Sequence, residues 1–277
     1  MSAPLYEHLL AYSKQNRISF AMPGHKNGRG LKKDLLSLDV TELSATENLI
    51  HPGEYVLKAQ ELLSSLYGSD KSYILTGGST SAIQSMICAG VKPGGTLLSA
   101  GDCHMSVINT CALLGINLKL FPKEIDNSFS VPKGTRTLKK HLTDDIDAVI
   151  ITSPNYYGIC SDLKKITELA HAHGMLVLVD EAHGTHFYFG DNFPLTAMAA
   201  GADMAAVSIH KTGGSLTQSS LLLCADTVSE GYVRQIINLT QTTSGSYLLM
   251  VSLDLARKNL ALNGKELFKK AVDYADY

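Results

Sequence analysis

The sequence predicts an α/β protein of three layers, with a mostly parallel central sheet covered by helices on both faces. From about Lys71 onward, brief apolar runs alternate with amphipathic stretches, and strands that alternate with helices build a parallel sheet. At 277 residues, 45% hydrophobic and 18% charged, the chain also has enough apolar material for one large core.

The elements follow in order. Pro4 to Asn16 places Leu5, Leu9, Leu10 and Tyr12 at mainly helical spacing, and the turn from Pro23 to Gly28 ends it, so residues 1–45 form an arm ahead of a main domain at 46–277. Tyr73 to Leu75, Thr96 to Ala100, Leu118 to Phe121, Ala148 to Thr152, Met175 to Val179 and Ala205 to Ile209 are predicted strands. Ser81 to Ala89, His104 to Leu114 and Asp162 to His173 are predicted helices between them. Asp126 to Lys140, polar and interrupted by Pro132 and Gly134, reads as a surface excursion. Leu253 to Tyr277 reads as a linking helix.

Charge and cysteine usage narrow the function. With 24 basic and 26 acidic side chains the net charge is −2, so no field of one sign recruits nucleic acid or a membrane surface. The expected partner is a small molecule. The five cysteines, Cys88, Cys103, Cys111, Cys160 and Cys224, include no C-x-x-C pair; they predict neither a disulfide framework nor a metal site, but reduced and mostly core thiols. No run of 18 apolar residues occurs, and a cytoplasmic location is expected.

In parallel sheets ligands sit beyond the carboxyl ends of the strands, so the loops after Leu75, Ala100, Thr152, Val179 and Ile209 are where chemistry is expected. Four of these five carry unusual residues. After Leu75 comes Thr76-Gly77-Gly78-Ser79-Thr80-Ser81 and then an apolar helical pattern. Small residues entering a helix expose N–H groups and hydroxyls that suit a phosphate, although a capped helix behind a flexible turn reads the same way. No Walker lysine is present. The strand ending at Val179 runs into Asp180-Glu181-Ala182-His183-Gly184; a buried carboxylate there needs a cationic or hydrogen-bonded partner, and a protonated pyridine nitrogen suits it. The third is Ser208-Ile209-His210-Lys211-Thr212-Gly213-Gly214, where a desolvated lysine beyond a strand becomes a nucleophile able to form a Schiff base. Singly, each feature has a bland structural explanation. Their order along the chain is what points to one site.

With Met22-Pro23-Gly24-His25-Lys26, Gly78-Ser79-Thr80-Ser81, Cys103-His104-Met105-Ser106, Val179 to Gly184, Ser208 to Thr212 and Thr242-Thr243-Ser244-Gly245-Ser246-Tyr247 all in sequence, the chain resembles the Orn/Lys/Arg decarboxylase family. Its members are pyridoxal-phosphate enzymes of aspartate-aminotransferase-like fold. The resemblance implies pyridoxal 5'-phosphate as cofactor, with Ser79, Thr80 and Ser81 at its phosphate. His104 would stack on one ring face and Ala182 lie against the other, and Asp180 would hold the ring nitrogen. Ser208 and His210 would lie near the phosphate, with Lys211 as the Schiff-base lysine. His183 is expected to orient Asp180, Tyr156 and Tyr157 to border the cofactor, and His25 and Lys26 to lie at a subunit interface. The Thr242 to Ser244 stretch resembles a segment near the neighbouring subunit's cofactor, which implies a homodimer or a higher homo-oligomer. No metal is implied. A histidine at a helix start is also an ordinary cap, so the role of His104 stays open at this point.

The expected activity is decarboxylation of arginine, lysine or ornithine to a polyamine precursor, for which Glu42 and Glu47 are candidate partners of the distal cation. Two alternatives stay open: another reaction on the same scaffold, such as transamination or aldol-type cleavage, or a non-catalytic cofactor-binding module, since the family's C-terminal small domain is expected to be absent.

Overall fold

The computed structural model describes residues 40, 42, 46–122, 124–126, 129–131, 135–190 and 192–275. The expected arm helix and the Pro23 turn, with His25 and Lys26, lie outside them. In chain order the described elements are α1 (Glu54–Tyr67), β1 (Lys71–Leu75), α2 (Gly78–Gly90), β2 (Thr96–Ala100), α3 (Met105–Leu114) and β3 (Asn117–Phe121). A hairpin of β4 (Glu124–Asp126) and β5 (Phe129–Val131) follows, then α4 (Thr135–Lys139), β6 (Ala148–Thr152), α5 (Leu163–His171) and β7 (Leu176–Asp180). The chain continues through a 3-10 turn (Thr185–Phe189), β8 (Met204–Val207), α6 (Ile209–Thr212), β9 (Ser220–Cys224), α7 (Glu230–Thr240) and α8 (Tyr247–Ala275).

Seven strands form one sheet in the order β1-β9-β8-β7-β6-β2-β3. β8, β7, β6, β2 and β3 run parallel, whereas β9 is antiparallel to both of its neighbours, β1 and β8. The expected α/β class and mostly parallel sheet are therefore what the chain adopts. β9 was not anticipated from the sequence.

Successive side chains of a strand point to opposite faces, and both faces here are buried. Leu98, Val149, Ile151, Val177, Val179, Val207 and Leu223 face Leu63 of α1 and Leu253 of α8. Leu97, Ile150, Leu178, Met204, Ala206 and Leu222 face Ile83 and Met86 of α2, Val107 of α3 and Ile237 of α7. This double burial explains why the strands read as nearly continuous apolar runs.

The edge strand β1 is finished by side chains. Gln60 of α1 accepts the Ile74 N–H at 3.2 Å, and Gln241, just past α7, accepts the Thr76 N–H at 3.0 Å. At the end of the sheet away from the expected ligands, the buried Asp203 carboxylate accepts from Val177 N–H at 2.6 Å and the Thr227 hydroxyl at 2.6 Å, and pairs with His171 at 2.8 Å.

Several expectations change in detail. The run ending at Ile209 leaves the sheet at Val207, because Ser208 starts a single helical turn that carries Lys211. α2 begins at Gly78, three residues earlier than expected, so Ser79, Thr80 and Ser81 form its first turn. The 126–140 excursion contains β5 and α4 and buries Leu138. The linking helix starts at Tyr247, six residues earlier than expected. No disulfide occurs among the described residues; Cys111 and Cys224 are buried, but Cys88, Cys103 and Cys160 are only partly so, which corrects the expectation of mostly core thiols. Among the described residues, no helix is long and apolar enough to cross a membrane.

Candidate active site

The carboxyl ends of β1, β2, β6, β7 and β8 open on one side of the sheet, and the singled-out residues gather there. Lys211, on the turn after β8, places Nζ 2.9 Å from Nε2 of His183, on the turn after β7. Burial pulls the lysine below its ordinary value, and Asp180 opposes that shift by attraction. Burial also lowers His183 to about 4, reinforced by the positive charges of Lys211, His104 and His210. A neutral His183 is thus the acceptor and Lys211 the donor. His183 reaches Lys211, where the sequence reading had it orienting Asp180.

Asp180 is the last residue of β7 and only 3% exposed. Burial raises its carboxyl above the ordinary range, while the Ala182 N–H, donated to Oδ1 at 3.2 Å, and the charges of Lys211 and His104 pull the other way. A buried carboxylate of this kind gains from any further cation brought against it. Ala182 is buried, and the Tyr156 ring stands edge-on to His183 with centroids 6.0 Å apart. Tyr157 is exposed.

His104 performs the capping role that its sequence position left open. As N-cap of α3, its Nδ1 accepts the Ser106 N–H at 3.2 Å. It also acts electrostatically on both Asp180 and His183, so the cap belongs to the same cluster.

The first turn of α2 has no side-chain cap. The carbonyl of Gln218 takes the Gly78 N–H at 2.8 Å, and the Ser81 hydroxyl turns back to the Gly78 carbonyl at 3.4 Å. A Cβ at Gly77 would meet the Ser81 hydroxyl, so a larger residue there would force that hydroxyl to turn away. Ser79 and Thr80 remain at a helix N-terminus, the ordinary setting for an anion. Ser208 is fully buried and its hydroxyl has no hydrogen-bond partner, while its carbonyl accepts from the Thr185 hydroxyl at 2.9 Å. His210 donates from Nδ1 to the Ser219 carbonyl at 3.0 Å. Glu47, a candidate for the substrate cation, is committed elsewhere: its carboxylate accepts the Tyr55 and Val56 N–H groups at 2.7 and 2.9 Å, holding the start of α1. The sequence reading passed over Glu181, which is completely buried beside Asp180; its place directly after the chemistry-bearing residue was the available signal.

A family model described as the Orn/Lys/Arg decarboxylase major domain matches residues 3–276. The chain belongs to that family. An arginine decarboxylase of Bacillus anthracis is 38% identical over 99% of the chain, which spans 58% of that relative's length. Among solved structures, E. coli constitutive lysine decarboxylase superposes with a TM-score of 0.77 at 22% identity, over 99% of this chain and 43% of that one. An "SPT with PLP" structure superposes with a TM-score of 0.59 at 18% identity, over 76% of this chain and 53% of that one. At those identities the two structures speak for the fold alone. The chain thus shares an α/β fold with both structures, with β9 running antiparallel beside its edge strand.

Proposed function

We propose that this chain holds pyridoxal 5'-phosphate on Lys211 and removes the α-carboxylate of a basic amino acid, with arginine, lysine and ornithine as candidate substrates. The observation carrying the reading is the convergence, at the carboxyl ends of β1, β7 and β8, of a half-buried lysine, a buried carboxylate and an uncapped helix start. The residues present fit that group. Ser79 and Thr80 on α2, with the partnerless buried hydroxyl of Ser208, offer donors to a phosphate. Asp180 offers a buried anion to a pyridinium nitrogen, and the glycine at 77 leaves room at the helix start.

When bound, the cofactor acts as an electron sink for the substrate's α-carbon. Everything else falls to the chain. Lys211, lowered by burial, holds a larger neutral fraction than a surface lysine and is therefore more nucleophilic. His183 accepts its proton-bearing N–H and aims it. Asp180 keeps a positive charge opposite it from drifting away, an electrostatic effect prepared before reaction. Ala182 presents a small apolar surface, and Tyr156 borders His183 at the solvent side. Thr242, Thr243 and Ser244 are exposed, which suits a second subunit meeting them, and we assign the chain to a homodimer. The names of the relatives support the basic-amino-acid class. Incubation of the purified chain with the cofactor and each of arginine, lysine and ornithine, followed by assay of carbon dioxide and amine, tests the proposal: carbon dioxide with the matching amine supports it. A keto acid would indicate transamination instead; turnover of none of the three, with a β-hydroxy amino acid such as threonine split to an aldehyde and glycine, would indicate an aldol-type cleavage.

A further inference from the structure

Asp180 and Glu181 are consecutive, both at most 3% exposed, and their side chains have separate surroundings. Asp180 is influenced by Lys211 and His104 in the site. Glu181 lies among packed groups: Oε2 accepts from the Tyr188 hydroxyl at 2.5 Å and Oε1 from the Ala197 N–H at 2.9 Å. The Tyr188 ring in turn packs against Tyr67 of α1, with centroids 4.6 Å apart. Gly184 closes the turn, donating its N–H to the Glu181 carbonyl at 2.9 Å; a Cβ at Gly184 would stand 2.5 Å from Cγ of Glu181. Ala182 and His183 are therefore suspended between Glu181 and a glycine fitted against its side chain.

We propose that Glu181 is a positioning residue: an uncharged carboxyl, clamped by Tyr188 and Ala197, that fixes the Ala182–His183 turn and leaves Asp180 as the single anion of the pair. The inference rests on the cofactor reading above for its consequence, though not for the clamp itself. Two adjacent buried carboxyls do not both ionise cheaply, and the one facing cations keeps its charge. The titratable groups facing Glu181 are Tyr67, Tyr188, Cys160 and Asp180, and none is a cation. In agreement, burial raises its carboxyl to about 8 against the opposing pull of the hydrogen bonds from Tyr188 and Ala197, with Asp180 adding to the rise.

The test compares wild type, Glu181→Gln, Glu181→Ala and Leu253→Ala, the last a core truncation in α8 on the same face of the sheet as Val179. Pyridoxal phosphate is titrated into each full chain and followed by visible absorbance and induced circular dichroism. We expect Glu181→Gln to bind within about 3-fold of wild type, because the amide reproduces a neutral carboxyl. Glu181→Ala should bind at least about 10-fold more weakly, with a smaller induced signal per bound cofactor. Leu253→Ala, although destabilised, should bind like wild type. Equal loss in Glu181→Gln and Glu181→Ala would overturn the neutral clamp, and equal binding by Glu181→Ala and Leu253→Ala would reduce Glu181 to general packing.

A second measurement works without cofactor: the urea midpoint against pH. A carboxyl raised in the folded state stabilises below its ordinary value and loses that contribution as pH rises towards about 8. Wild type should lose stability over that window more steeply than Glu181→Gln. Identical slopes overturn the proposal even if wild type takes up no cofactor, the outcome that would instead sink the functional reading.

Discussion

Nζ of Lys211 and Nε2 of His183, 28 residues apart in sequence, meet at 2.9 Å. The contact joins the turns after β7 and β8, neighbouring strands whose pairing runs through Asp180 and Ala206, so sheet register sets the lysine's reach. His183, held near 4, stays neutral over the working range and cannot repel the lysine.

Capture of pyridoxal phosphate should accelerate with pH along a curve whose midpoint lies below the ordinary lysine value of 10.5, because burial favours the neutral amine. Stopped-flow absorbance at a series of pH values measures it. A midpoint at or above the ordinary value would contradict the burial of Lys211. Lys211→Ala should give no visible band that borohydride removes.

Asp180→Asn should lower the decarboxylation rate by about 100-fold or more, as expected when a prepared electrostatic partner is neutralised. It should also depress Lys211 further, since Asp180 is the group that opposes the lysine's downward shift. The capture midpoint of the variant moves to lower pH if that is right, and upward movement refutes it.

Much of this site could be read from the sequence because its residues follow apolar runs. Leu75, Asp180 and Val207 each end a buried strand; Thr76 follows the first, and Lys211 lies on the helical turn after the last. What the sequence concealed was pairing. Ser220 to Cys224 is as apolar as its neighbours, but nothing in a short apolar run tells its direction, so the reversed β9 went unseen. α1 lacks a side-chain cap on its N-cap residue, Gly53; its start is held by Glu47, eight residues before Tyr55 and with its backbone left-handed at φ 65°, a capping arrangement with no familiar sequence signature. The link from His183 to Lys211 was likewise invisible, because a hydrogen bond between two loops depends on strand order.

Gly77→Ala should weaken cofactor binding by about 10-fold or more and lower thermal stability, since the new methyl meets the Ser81 hydroxyl. Adding Ser81→Ala leaves a contact of 3.2 Å and should restore part of the loss. A double-mutant cycle on the dissociation constants measures the coupling; strictly additive losses would count against the steric account.

Asp203→Ala should cost about 3 kcal/mol of folding stability, because it strips acceptors from Val177, Thr227 and His171 at once. Being at the opposite end of the sheet, it should leave cofactor affinity nearly unchanged. Urea unfolding and a cofactor titration on the same preparation separate the two effects.

The two glutamines that bond to the edge of β1, Gln60 and Gln241, have a consequence beyond the fold's internal bonding. A lateral strand offers backbone donors to any extended peptide that drifts alongside, the route by which sheets zip into fibres. With Ile74 and Thr76 already spoken for by Gln60 and Gln241, that flank offers an incoming chain few places to attach, so resistance to aggregation is bound up with two amide side chains. Exchanging both for leucine should turn a well-behaved protein into one that self-associates on storage.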